Sequence, residues 1–170
     1  MTIRPATTAD LPAINAIYNH YVLTSTCTYQ LEPTTDAERS KWFAGRSTMH
    51  PVIVAEERGT VVGWGSLSPY NLRCGYAGSV ELSVYIHHDH HRKGIGKALC
   101  VELIRLSKAA GLHTIIGGIS TEQAPSIALH ESLGFVKVAH LKEMGVKFGK
   151  RLDVGYWQLM LESQSARDNS

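Results

Sequence analysis

The chain has 170 residues, 44% of them hydrophobic and 19% charged, with a formal net charge of +2 at pH 7. That is enough for one domain with a sizeable core, and the composition is that of a globular chain. The charge is too small and too scattered for a nucleic-acid surface, and no apolar run approaches the roughly 20 residues of a membrane helix. Residues 1–5 carry no apolar signal core, and Cys27, Cys74 and Cys100 are odd in number and not spaced as metal ligands. Reduced thiols in a cytoplasmic protein are the expectation.

Strand and helix patterns alternate along the chain. A short strand at 3–5 is followed by a helix capped at Thr7 or Thr8, with Leu11, Ile14, Ile17, Tyr18 and Tyr21 on one face. Residues 24–33 are rich in threonine, end at Pro33 and predict an ordered loop. Thr35-Asp36-Ala37-Glu38 is a capping box opening a helix to about Arg46. Strands at 52–56 and 61–68 flank Arg58-Gly59-Thr60, a hairpin signal. A loop at 69–78 precedes a strand at 79–86, a glycine loop and a helix over 94–110 that stops at Gly111. The β-branched run 114–120 predicts a buried strand, and Gly134 closes a helix over about 125–133. Strands near 135–143 and 153–161 complete an α/β domain, a mixed sheet of six to seven strands flanked by helices, over residues 1–163. Residues 164–170 are a polar tail.

The most informative stretch is His91-Arg92-Lys93-Gly94-Ile95-Gly96-Lys97, between a strand and a helix start. Free backbone N–H groups there, the helix dipole, and the charges of Arg92, Lys93 and Lys97 suit a phosphate group. The spacing is neither that of a Walker loop nor that of a dinucleotide fingerprint. On the preceding strand, alternation sets Leu82, Val84 and Ile86 on an apolar core face. Glu81, Ser83 and Tyr85 then face the ligand. Glu81 is placed to act as a general base, although a surface or salt-bridged glutamate fits the strand position equally. His87-His88-Asp89-His90-His91 predicts a solvated turn and no metal, because neighbouring histidines there are not expected to face one ion.

The strand Val80–Ile86, the loop His91–Leu99 and the helix segment Ser126-Ile127-Ala128-Leu129-His130-Glu131-Ser132-Leu133-Gly134-Phe135 together resemble the signature of the GNAT acyl-CoA N-acetyltransferases. Within that superfamily the chain is most similar to the phosphinothricin and methionine sulfone (sulfoximine) acetyltransferases, through Ile17-Tyr18-Asn19-His20-Tyr21, Thr24-Ser25-Thr26 and the stretch 145–158, for which a hairpin turning at Gly149 is an equally good reading. The resemblance implies a single-domain GNAT fold and a cytoplasmic detoxifying enzyme. Its implied activity is direct transfer from acetyl-CoA to the α-amino group of a small amino-acid-like substrate. It implies Glu81 as base and His130 as the acid that protonates the leaving thiolate. Val84, Tyr85, Ile86, Arg92, Lys93, Gly94, Ile95, Gly96, Lys97, Gln123 and Ser132 correspond to acetyl-CoA contacts. Tyr29, Arg73, Gly75, Tyr76 and Tyr85 correspond to the substrate site, and a homodimer using 24–33 and the final hairpin is implied. His91 replaces the usual Gln or Arg, Gln123 the usual asparagine, and Asn71 a lysine found in herbicide-resistance enzymes. A non-catalytic acyl-CoA sensor, or an acetyltransferase of a peptide N-terminus or polyamine, is the alternative.

Overall fold

The computed structural model describes residues 1–161; the expected tail at 164–170 lies outside the described residues. Its frame is a seven-stranded sheet in the order β1-β2-β3-β4-β5-β7-β6. The strands are β1 (Thr2–Pro5), β2 (Val52–Glu57), β3 (Thr60–Pro69), β4 (Ser79–Ile86), β5 (Thr114–Ser120), β6 (Val136–Lys147) and β7 (Lys150–Met160). Only β4 and β5 are parallel neighbours. The helices are α1 (Leu11–Thr24), α2 (Asp36–Ala44), α3 (Ile95–Ala109) and α4 (Ala124–Ser132). Among the described residues no helix is long and apolar enough to cross a membrane.

Each sheet face has its own core. Ile95, Leu99 and Leu103 of α3, one helical turn apart, pack with Val80, Leu82, Ile115 and Trp157 on one face. On the other, Leu11, Ile14 and Ile17 of α1 pack with Val54 and Trp64. β5 is buried over most of its length, with Gly118 the exposed position where the strand borders an opening. Before α1 a single 3-10 turn, Thr8–Asp10, carries the cap, with Thr7 N–H donating to Asp10 Oδ2 at 2.7 Å. Arg4 clamps Asp10 at 2.8 Å and Glu56 at 2.6 Å, tying β1, α1 and β2 together. That guanidinium holds the Asp10 carboxyl down at about 2.

The Thr35–Glu38 capping box forms as expected, with Glu38 N–H on Thr35 Oγ1 and Thr35 N–H on Glu38 Oε2. α2 ends at Ala44, earlier than predicted; Arg46 instead reaches Leu67 O at 2.8 Å and Ser68 Oγ at 2.9 Å. The β2–β3 turn uses Arg58 and Gly59, both left-handed. β6 and β7 run closer to their shared turn than expected. The reason is an irregularity between Leu141 and Gly145, where Glu143 has φ 53° and its N–H is taken by Asp153 Oδ1 at 2.7 Å. That bulge breaks the alternation by which a strand is read from sequence. Phe148 and Gly149 form the turn.

Candidate active site

The central strands part company inside the sheet. β4 and β5 pair only over Ser79–Glu81 and Thr114–Ile116, although both run on well beyond. β4 stays paired to β3 to its end. His87 N–H donates to Val62 O and Tyr70 N–H to Ser79 O, which sets the side to which each peptide points. By alternation, the N–H and C=O groups of Val84 and Ile86 point away from β3, into the gap. A cleft of about 530 Å³ occupies this opening.

The glycine loop forms the mouth of the cleft. Arg92 (φ 60°) and Gly94 (φ 77°) are left-handed, turning the chain sharply into α3. The first backbone bond back is Ala98 N–H to Gly94 O, and no side chain caps the helix. The N–H groups of Ile95, Gly96 and Lys97 are therefore left at an electropositive helix end, as an anion requires. His91 is held by Tyr21, whose hydroxyl lies 2.6 Å from His91 Nε2 and donates to the Ile86 carbonyl. Burial pushes Tyr21 up to about 12, keeping it neutral.

Glu81 and His130 approach the gap from opposite faces. A Cβ on Gly118 would lie 3.2 Å from Glu81 Oε1, and one on Gly117 2.8 Å from His130 Nε2. Successive residues of β5 face opposite sides of the sheet, so the carboxylate comes from the α1 side and the imidazole from the α3 side. Only glycine at 117 leaves room for the ring. Burial raises the pKa of Glu81. His130 is buried against Phe135, and burial lowers its pKa. Its Nδ1 lies 2.8 Å from Ser126 O. A carbonyl can only accept, so Nδ1 carries the proton and Nε2 a lone pair. That Nε2 is buried without a hydrogen-bond partner among the described residues.

Every residue expected at the cofactor lines the cleft except Lys93 and Ser132. Ser132 Oγ instead donates to Leu129 O at 2.7 Å on an exposed part of α4. Gln123 lines the cleft, with Nε2 donating to Thr26 Oγ1 at 2.9 Å, so its longer side chain ties the loop after α1 to the start of α4.

The residues expected at the substrate are less gathered. Tyr85 lines the cleft, and its ring stacks on Trp64 at 5.0 Å and meets Tyr18 edge-on at 5.2 Å. Alternation places it on the α1 face, where it is half-buried and lines a second cleft with Arg39 and Trp42. Tyr29 lies against Gly145 and donates to Asp153 O at 2.9 Å, bracing the last hairpin. Arg73, Gly75 and Tyr76 stand exposed on the β3–β4 loop, outside the cleft lining. Four contributors escape the sequence reading. Tyr21 looks like a core position of α1, and Gly117 and Gly118 look like ordinary strand glycines. Tyr156 pairs with Gly118 across β5–β7 and lies near Glu81, its phenol pushed up by burial and by that carboxylate.

The model of the family described as Acetyltransferase (GNAT) family matches residues 14–135. The chain belongs to the GNAT family. This GNAT chain is 40% identical to an L-methionine sulfoximine/L-methionine sulfone acetyltransferase of Salmonella typhimurium, over 99% of each chain. It is 38% identical to a phosphinothricin N-acetyltransferase of Streptomyces viridochromogenes, over 92% of this chain and 85% of that one. A Salmonella typhimurium structure solved with its cofactor acetyl-CoA superposes at a TM-score of 0.92, with 39% identity over 99% of this chain and 98% of that one. The GNAT fold of this chain is thus shared with a solved, cofactor-bound relative.

Proposed function

We propose that this chain transfers the acetyl group of acetyl-CoA to the α-amino group of a small amino-acid-like substrate of the methionine sulfoximine, methionine sulfone or phosphinothricin type. The observation that carries the reading is the meeting of Glu81 and His130 at adjacent β5 glycines, one from each face of an open sheet. Acetyl-CoA fits the opening by its chemistry. The N-terminus of α3 suits its pyrophosphate, and the free strand edge at Val84 and Ile86 suits its amide-bearing arm. When bound, it supplies the activated acyl group.

The residues then divide the work by face. Glu81, its pKa raised by burial, takes a proton from the substrate ammonium and leaves a neutral amine facing the gap. An N–H of β4 aimed into the gap, that of Val84, donates to the acyl oxygen as charge develops there. His130 Nε2, a lone-pair acceptor, receives the second proton that the nitrogen sheds on becoming an amide. From there the proton is available to the departing thiolate, so His130 serves as acid only after serving as acceptor. The relatives named above supply the substrate class, and Arg73 is the cation available on the β3–β4 loop for an acidic group. We read residues 1–163 as one catalytic domain of a cytoplasmic detoxifying enzyme.

β6 is an edge strand whose Val136, Val138, Met144 and Val146 are exposed, as is Phe148 in its turn. A long bare apolar edge invites a partner, and we read it as the face that joins two copies. Residues 24–33 contribute indirectly: Lys147 Nζ donates to Thr28 O at 2.7 Å, so the loop props the hairpin from within its own chain.

Thiol release from acetyl-CoA, measured against methionine sulfoximine, methionine sulfone, phosphinothricin and ordinary amino acids, tests the activity. Turnover is expected with the first three in preference to the rest. Thermal stabilisation by acetyl-CoA without thiol release for any amine would make the protein a sensor instead.

A further inference from the structure

The histidine run before the glycine loop behaves differently in the fold from what its sequence predicts. His87 caps a 3-10 turn over His88–His90, and the turn draws side chains together that an extended connection would splay. One donor atom each from His87, His88 and Asp89 lies within 4.8 Å of the other two. Asp89 Oδ2 is 3.7 Å from His88 Nε2 and 4.0 Å from His87 Nδ1. The His88 ring is sandwiched: His87 stacks on one side at 4.3 Å and 21°, and His20 of α1 stacks on it at 4.1 Å and 13°.

We propose that His87, His88 and Asp89 bind a divalent transition cation of borderline softness, of which zinc is the type, at the lip of the cleft. Two imidazole nitrogens and a carboxylate oxygen are a donor set such ions accept, with water completing the shell. Donors in a tetrahedral zinc site lie roughly 3.4 Å apart for bonds of about 2.1 Å. The two edges to Asp89 Oδ2 need about 0.3 and 0.6 Å of closure, supplied by the exposed Asp89 side chain, and the His87 ring turns out of its stack on His88 so that both lone pairs meet one ion. The 3.3 Å contact from Asp89 N–H to His87 Nδ1 yields to the ion. His20, stacked on His88, acts as a brace that sets the ring orientation. The site stands apart from Glu81 and His130 and does not depend on the acetyl-transfer reading.

The test is titration of metal-free protein with Zn²⁺ alone, by calorimetry and by thermal shift. We expect one ion per chain with micromolar affinity and a rise in melting temperature. His88→Ala and Asp89→Asn should each weaken binding at least tenfold. His20→Ala should weaken it severalfold, and His140→Ala, at the distant His140–Asp153 pair, should leave it unchanged. Circular dichroism and acetyl-CoA-induced stabilisation establish that each variant is folded. Zinc binding of equal strength in the His88 and Asp89 variants, or no binding up to millimolar Zn²⁺, overturns the proposal.

Discussion

The hydroxyl of Tyr21, on α1, lies 2.6 Å from Nε2 of His91, the first residue of the glycine loop. A neutral phenol has one proton, and here it goes to the Ile86 carbonyl. His91 must therefore donate through Nε2–H. One side chain thus joins the loop expected to hold phosphate to the strand expected to hold the amide arm. Tyr21→Phe removes both bonds, together worth about 1–2 kcal/mol. The KM for acetyl-CoA should rise roughly 5–30-fold while kcat stays within about twofold. A fall in kcat at constant KM would contradict this positioning role. His91→Gln should be milder than His91→Ala, because glutamine can still donate to the phenol.

Glu81→Gln separates function from stability. Near neutral pH it should cut kcat by about a hundredfold, in line with general-base contributions, with the deficit shrinking at high pH where free amine is abundant. Equal loss at every pH would exclude the base role. Burial raises the carboxyl's pKa in the fold, because it disfavours the charged form. The stability this group contributes is present below its unfolded pKa and lost as pH rises through the folded value. Glu81→Gln should therefore raise the melting temperature at pH 7 and leave it nearly unchanged at pH 4.

The β5 glycines give a matched pair of variants. Neither has a left-handed backbone, so alanine is sterically allowed by the chain itself. At 117 the new methyl meets the His130 ring at 2.8 Å, and at 118 it meets Glu81 and Tyr156 at 3.2 and 3.3 Å. Gly117→Ala should cost about 1–3 kcal/mol of stability and at least tenfold in turnover as the imidazole is displaced. Gly118→Ala should be the milder of the two. Kinetics with calorimetry on both proteins checks the order.

Asp10 offers a structural control away from the cleft. Its carboxyl, held at about 2 by Arg4, contributes stability present above its unfolded pKa and lost as pH falls through about 2. Asp10→Asn should lower the melting temperature by several degrees at pH 7, and the two proteins should converge near pH 2. Melting curves across that range measure it.

Sheet membership of β2–β5, the α3 stripe and the Thr35 capping box are legible in the sequence because each rests on local chemistry. The parts that are not legible depend on distant partners. Tyr85 is placed on the correct face by alternation, but the aromatic rings it packs on, Tyr18 and Trp64, lie far away in the chain. Tyr29 has the composition of a binding loop and the job of a hairpin brace. The β6–β7 hairpin and its turn at Gly149 are legible, but not the bulge, whose stabilising contact, Glu143 N–H to Asp153, crosses the hairpin. The glycine loop and Glu81 are readable because strand, turn and helix start follow each other directly. His130's tautomer is not, since it depends on which atom Nδ1 touches.

The parting of β4 from β5 has a consequence for the life of the molecule as well as for its chemistry. The middle of this sheet carries backbone groups with no strand partner, the N–H groups of Val84 and Ile86 among them, which solvent or a guest molecule must satisfy. A guest at a hundredfold excess over its Kd adds about 2.7 kcal/mol to the stability of its host. That is a large share of the 5–15 kcal/mol typical of a small domain. When acyl donor is scarce, this protein should not only idle but also open and be degraded faster, making its abundance a slow gauge of acetyl-CoA supply.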